Sequence, residues 1–349
     1  MKRKYAAILI IVVVVGTGSF LWNHFINPDP VSAELKQMVT DSKTSTFSVK
    51  KWEEADRYSK KAIKFKEKDE LMSSGNEFAV TGVKLKAPYG IACLPEGILL
   101  ADHGENCLYL IDYSGNLVRK IGELGNGPNQ FQKPTGCTYH NGYYYVIDSG
   151  NKRIVILDRQ FNYTKELKLP KSEREPEKEF TDIAINDKGD IYISGSYLYD
   201  SGLYRYNLEK DKFENVQKYF YGSLKEFGGE VYAVDQFRIY VDFEKKEITG
   251  GAGPNALWKL DGRNIKKLSN LPAGLNAGSF ELLRDSLIIC SPFHSAVMAF
   301  NMKDGKYISN IYEVNKMDYK TYASIYGSDL YITEPEKGKI LKISLEKLQ

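Results

Sequence analysis

The sequence predicts an all-β fold, a six-bladed β-propeller of four-stranded antiparallel blades, following an N-terminal transmembrane helix. Three observations carry this. The chain resembles itself at a spacing of 46 residues. Each repeat unit holds four short strand-like runs separated by turn residues. An uncharged apolar run follows a basic N-terminus.

The repeat comes first, because it sets the element boundaries. Sliding the chain 46 positions against itself places Pro88 on Pro134, Gly90 on Gly136, Asp102 on Asp148, Gly104 on Gly150, Leu108 on Ile154 and Asp112 on Asp158. Each unit reads as a run after Pro-x-Gly, then "GILLAD" or "YYYVID", then "CLYLID" or "RIVILD", then "NLVRKIG" or "NYTKELK". Four antiparallel strands recurring every 40 to 50 or so residues mark a propeller blade. "FTDIAINDKGDIYISGSYLYDSGLYRYN" is a third unit with a longer loop. "GSLKEFGGEVYAVD" opens a fourth, completed by "ALWKLD" and "NIKKLS" after the insert "KEITGGAGPN". "GSFELLRDSLIICSPFHSAVMAFN" is the fifth. "YASIYGSDLYITEPEKGKILKIS" is the sixth and ends after three strands. Its missing outer strand is expected from residues 77–85, "EFAVTGVKL", which would close the ring and leave no open edge.

The linking stretch "GNGPNQFQKPTG" follows from the same plan. Gly125, Gly127 and Pro128 carry the chain from one blade to the next. Phe131 is expected as a plug between blades. Gly136 is small because inner strands crowd the channel. Residues 148–151 form a tight hairpin in which Asp148 and Asn151 bond turn backbone.

Three regions result: 1–26, a cytoplasmic basic flank and membrane anchor or uncleaved signal; 27–76, a linker or stalk; and 77–349, the propeller. Lys2, Arg3 and Lys4 precede residues 5–22, which carry no charge and reach the lower length limit for spanning a bilayer. The basic flank places the rest of the chain outside the cytoplasm. A cleaved signal peptide is the rival reading, with "VSA" at 31–33 as its cleavage site. In the linker, "KKWEEADRYSKKAIKFKEKDELM" has Trp52, Ala55, Ala62 and Phe65 at roughly helical spacing, which reads as a stalk or a short amphipathic helix.

The 349 residues are 42% hydrophobic and 27% charged, enough for a sizeable core. The formal charge of +3 argues against a nucleic-acid partner, which would need a concentrated basic surface. The 25 Tyr suit both strands and binding surfaces. Cys93, Cys107, Cys137 and Cys290 form no CxxC pair or metal framework and read as small buried hydrophobes on strands.

The stretch "GNGPNQFQKPTG…YYYVIDSGNKRIVILD" resembles an NHL repeat, with its Gly-x-Gly…Phe…Pro-x-Gly and Asp-Ser-x-Asn-x-Arg-Ile. The chain is also similar to six-bladed propeller proteins of bacterial envelopes. The second unit carries the full motif. The first has Cys107 where the repeat's Arg is expected, and the other four match coarsely. The resemblance covers residues 78–345 as fold and about 35 residues as specific motif. It implies a propeller that binds at one mouth of its channel, and it extends to lyases with His-bound metal and to gluconolactonase-like enzymes.

Propellers bind ligands at a channel mouth, and loops supply the specificity. Loops between second and third strands, with the blade-to-blade connections, open on one face. There the sequence places Asp102, His103, Asp148, Lys152, Arg153, Tyr197, Tyr199, His294 and Glu334 as candidate ligand-binding residues. His103 and His294 fall on corresponding loops and are the candidate metal ligands, for a divalent ion. The lyase pattern needs a third inward His, and His140 sits in a loop on the opposite face. Asp148 and Arg153 also serve the repeat's own hairpin and packing. There is no G-x-S-x-G elbow and no H-E-x-x-H. "GNGP" lacks the following Lys-Ser/Thr of a phosphate loop. The functional expectation is a binding module for a protein, peptide or glycan of the cell envelope, without cofactor. The alternative is a metal-assisted lyase or hydrolase acting on a small extracytoplasmic substrate.

Overall fold

The computed structural model describes residues 48–49 and 73–348, apart from 172–178, 197–200, 219, 236–237, 243–246, 252–254, 273–274, 276, 293 and 319. The apolar run at 5–22, most of the 27–76 linker, and Tyr197 and Tyr199 lie outside the described residues.

Six four-stranded antiparallel sheets form the blades. From inner to outer strand, blade 1 is Pro88–Leu94, Gly97–Asp102, Cys107–Ile111 and Leu117–Ile121. Blade 2 is Pro134–His140, Tyr143–Asp148, Arg153–Leu157 and Tyr163–Lys168. Blade 3 is Glu179–Ile185, Ile191–Ser196, Gly202–Asn207 and Lys212–Lys218. Blade 4 is Gly222–Phe227, Glu230–Asp235, Ala256–Asp261 and Asn264–Asn270. Blade 5 is Ser279–Leu283, Ser286–Ser291, Ala296–Asn301 and Tyr307–Glu313. Blade 6 is Tyr322–Tyr326, Asp329–Glu334 and Lys339–Ser344, with Gly75–Glu77 as its outer strand. Each inner strand lies beside the inner strands of its neighbours, and that of blade 6 lies beside that of blade 1.

The apolar runs explain the packing. Gly97–Asp102, Cys107–Ile111 and Arg153–Leu157 are buried throughout, because a neighbouring blade covers each of their faces. Outer strands alternate or face solvent. There are six apolar clusters, one between each pair of adjacent blades. Phe131 is fully buried in the cluster between blades 1 and 2. Leu85, 46 positions earlier, does the same between blades 6 and 1.

Ring closure corrects one expectation. The outer strand of blade 6 is Gly75–Glu77, in register Gly75↔Ile343, Asn76↔Lys342 and Glu77↔Leu341. Residues 78–85 leave the sheet because Phe78 and Leu85 turn into the apolar cluster instead. The propeller therefore begins at 75. The insert of blade 4 also differs. It carries a hairpin, Arg238–Asp242 with Glu247–Gly251, and Ser48–Val49 lies parallel to the second of these strands.

The Pro-x-Gly signature is a β-bulge at the mouth end of the inner strand. In blade 1 the register jumps between Pro88↔Asp102 and Ile91↔Leu100. In blade 2 it jumps between Pro134↔Asp148 and Cys137↔Val146. A Cβ on Gly90 would stand 2.1 Å from the Thr135 carbonyl oxygen, and one on Gly136 would stand 2.7 Å from that of Thr181. Each glycine is thus required by the next blade's inner strand.

Candidate binding site at the channel mouth

The loops joining second and third strands share one conformation. Their last residues, Asn106, Lys152, Ser295 and Gly338 in blades 1, 2, 5 and 6, all have positive φ, between 49° and 62°. This left-handed residue turns the chain back into the third strand. These loops and the blade-to-blade connections form one face around the channel.

The predicted acidic residues hold this face together. Asp102 is fully buried and accepts hydrogen bonds from the amides of Lys86, Ala87, Gly104 and Glu105. Asp148 is fully buried and accepts from the Gln132 amide, the Asn151 side chain and Arg153 Nε. Burial pushes its carboxyl up, against those bonds. Arg153 also bonds Glu166 and the carbonyls of Gly127 and Gln130, and Asn151 bonds the Gly125 carbonyl. The Asp148–Asn151–Arg153 group therefore clamps the "GNGPNQ" connection, a wider role than the hairpin backbone bonding expected for Asp148 and Asn151. Glu334 is buried against Lys337 and Lys339. These acids answer loop amides, the Asn151 and Arg153 side chains, and ammonium groups.

At the channel entrance stands a group the sequence reading did not single out. Glu179, first residue of the inner strand of blade 3, pairs with Lys320 at 2.8 Å. Lys320 enters from the connection before blade 6, so the pair spans the mouth between opposite blades. The Lys320 ammonium lies 5.3 Å over the Tyr89 ring. Tyr89 stacks on His103 at 4.3 Å and on Tyr322 at 5.7 Å. Burial alone would push the Glu179 carboxyl up, but Lys320 holds it below its ordinary value. Burial would lower Lys320, and Glu179 reverses that. Burial is the chief cause that lowers His103 below its ordinary value. The bulge that holds Tyr89 follows from Pro88 and Gly90, so the sequence did carry a signal for this position.

One layer deeper, the inner strands carry a second charged group. Lys225, on the inner strand of blade 4, forms a 2.8 Å ion pair with Glu281 of blade 5. Asp182 of blade 3 faces the same ammonium. Lys225 and Glu281 keep 18% and 12% of their side chains exposed, and Asp182 is likewise only partly buried. Burial opposes the charge on Lys225, but the two carboxylates raise it above its ordinary value. Burial raises both Asp182 and Glu281. Cys93, Cys137 and Cys290 are thiols pushed up to about 12 by burial, and all four cysteines are free. The mouth therefore has an aromatic and charged rim with a salt-bridged floor beneath it.

The two candidate metal ligands are half-buried. His103 leans on Tyr89. His294 stays in its own loop, with Nδ1 2.9 Å from the Ser291 hydroxyl, and burial lowers it to about 4. Among the described residues no group of three or more His, Cys, Asp or Glu is arranged to hold a metal ion. His140 pairs with Asn141 at the far end of blade 2, on the opposite face.

A family model described as a 6-bladed beta-propeller matches residues 82–229. No curated protein matches the sequence. Among solved structures, virginiamycin B lyase from Staphylococcus aureus is similar at 15% identity and a TM-score of 0.51, over 78% of this chain and 99% of that one. A gluconolactonase from Xanthomonas campestris is similar at 11% and 0.53, over 78% and 89%. A protein of unknown function from Bacteroides thetaiotaomicron is similar at 13% and 0.55, over 78% and 76%. At these identities the likeness is one of fold. With its 46-residue repeat, six closed blades and these neighbours, the chain has the fold of a six-bladed β-propeller.

Proposed function

We propose that this chain is an extracytoplasmic binding module, held at the membrane by residues 5–22, that captures a protein, peptide or glycan partner at the channel mouth. The observation that carries the reading is the Glu179–Lys320 pair set across the mouth among Tyr89, His103 and Tyr322. Tyr side chains offer rigid contact area with a polar tip. The ion pair adds a fixed donor and acceptor for orientation. The salt-bridged Lys225 group lies beneath this rim. The basic flank and uncharged run support the membrane anchor.

A photocrosslinker replacing Tyr89 should capture a partner from intact envelopes, while the same group at Val118 on an outer strand should not. Equal labelling at both positions would sink the reading. A tag after Gln349 should be cut by protease added to sealed cells, and protection of that tag would overturn the topology.

A further inference from the structure

Lys320 sits in the mouth as a ligand would. Its ammonium has a carboxylate beside it, Glu179 Oε2 at 2.8 Å, and an aromatic face beneath it, the Tyr89 ring at 5.3 Å. Tyr221 lies close enough to act on the same ammonium. A carboxylate and aromatic faces around one cation make a cation site. Of the two described lysines that act on Glu179, Lys133 acts more weakly than Lys320.

The walls and the occupant of this site have different origins. Tyr89 and Glu179 stand on the inner strands of blades 1 and 3. Glu179 pairs with Ser196 in its sheet, and the Tyr89 carbonyl accepts from the Thr333 hydroxyl, so the walls are fixed. Lys320 hangs from the connection between Tyr307–Glu313 and Tyr322–Tyr326, outside regular structure. The pair is open to solvent, with the Lys320 and Glu179 side chains 41% and 33% exposed.

These features select the chemistry of a ligand. A cation entering from outside can replace Lys320 one for one. Glu179 then keeps a partner throughout, and no carboxylate is stranded in a half-buried place. Arginine suits the exchange best, because its planar guanidinium can meet a carboxylate with two hydrogen bonds and lie flat on a Tyr ring, where an ammonium is a point charge. An anion would have to approach Lys320 against the Glu179 carboxylate. A sugar ring would need an open aromatic face, but His103, Tyr322 and the Lys320 ammonium already share the two faces of Tyr89.

We propose that the mouth takes an arginine or lysine side chain of a protein or peptide partner, and that Lys320 is a built-in stand-in which that side chain displaces; this rests on the mouth being the contact surface proposed above. Until the exchange, Lys320 keeps Glu179 ionised and in place.

The probe is a fluorescein-labelled tetra-arginine peptide, titrated against the purified full-length chain in detergent at low salt and followed by fluorescence anisotropy. The unaltered chain should bind it weakly, because Lys320 fills the site. Lys320→Ala empties the site and should tighten binding about tenfold or more, as when a mostly filled site becomes free. Lys320→Gln, which keeps the length and drops the charge, repeats the test in a second chain, and melting of each variant checks its fold. Lys320→Arg keeps the site filled and should bind no more tightly than the unaltered chain. Adding Glu179→Gln to Lys320→Ala should remove the gain. Lys303→Ala, an exposed change on the opposite face, controls for the simple loss of one positive charge. The stand-in is overturned if Lys320→Ala and Lys320→Gln bind the peptide no more tightly than Lys303→Ala, or if the gain survives Glu179→Gln. In that event, continued capture by the crosslinker at Tyr89 leaves the mouth as the contact surface, while loss of capture there overturns the mouth reading itself.

Discussion

Lys225 reaches from blade 4 to the backbone carbonyl of Ala323 in blade 6, 2.5 Å away. The same ammonium pairs with Glu281 of blade 5 and faces Asp182 of blade 3. A single, partly buried cation thus ties inner strands of four blades at the middle of the ring. Removing it strands two carboxyl groups whose burial already pushes them toward the neutral form.

Substituting Lys225→Ala should therefore destabilise the propeller by about 2–4 kcal/mol, somewhat less than removing one partner from a fully buried ionic group. Urea unfolding at neutral pH measures this. Adding Asp182→Asn and Glu281→Gln to the same chain should recover part of the loss. A change below about 1 kcal/mol for the single variant would show that the group does not brace the ring.

Ring closure gives a truncation test. A chain beginning at Ser73 keeps Gly75–Glu77 and should fold. A chain beginning at Tyr89 loses that strand together with Phe78 and Leu85, and exposes the free edge of Lys339–Ser344. It should aggregate. Equal solubility and melting of the two would disprove the closing role.

Phe131 and His103 separate core from rim. Phe131 is fully buried, so Phe131→Ala should cost about 3–5 kcal/mol. His103→Ala removes a half-buried ring stacked on Tyr89 and should cost less than half as much, while weakening partner capture. Thermal unfolding of both variants decides the order. A larger loss for His103→Ala would reverse the assignment.

His294 predicts a pH dependence. Burial lowers it from 6.5 to about 4, so its stabilising contribution is complete above pH 6.5 and lost as pH falls toward 4. The unfolded chain takes up the proton first and gains by it. The shift corresponds to about 3 kcal/mol. His294→Asn should flatten the fall in unfolding free energy between pH 6.5 and 4 by about that amount. An unchanged slope would show that His294 titrates normally in the folded chain.

The mouth and the floor were legible to different degrees. Asp102, Asp148, Asn151 and Arg153 stood out because the repeat places them at matching positions. That matching is itself a sign of architecture, and they proved to be the clamps of the loops. Tyr89 was visible as the middle of Pro-x-Gly, without a reason to face the channel. Asp182 and Glu281 appeared as single charges in the inner-strand runs "FTDIAI" and "SFELL", and Lys225 beside Glu226 in "GSLKEF". A charge in such a run signals a buried partner, but it does not say where the partner is.

The sequence by itself determined what is local and periodic. Four strands per unit, six units, the Phe131 plug and the crowded Gly136 all follow from turn chemistry and a spacing of 46 residues. The Glu179–Lys320 bridge, the Lys225 floor and the shift of the closing strand from 77–85 to Gly75–Glu77 were decided by tertiary structure alone. The physical reason is sequence distance. Glu179 and Lys320 are 141 residues apart in the chain and meet at 2.8 Å because the ring brings blades 3 and 6 to opposite sides of one channel. The strand boundary moved because Phe78 and Leu85 gain more from burial between blades than from an edge position in a sheet.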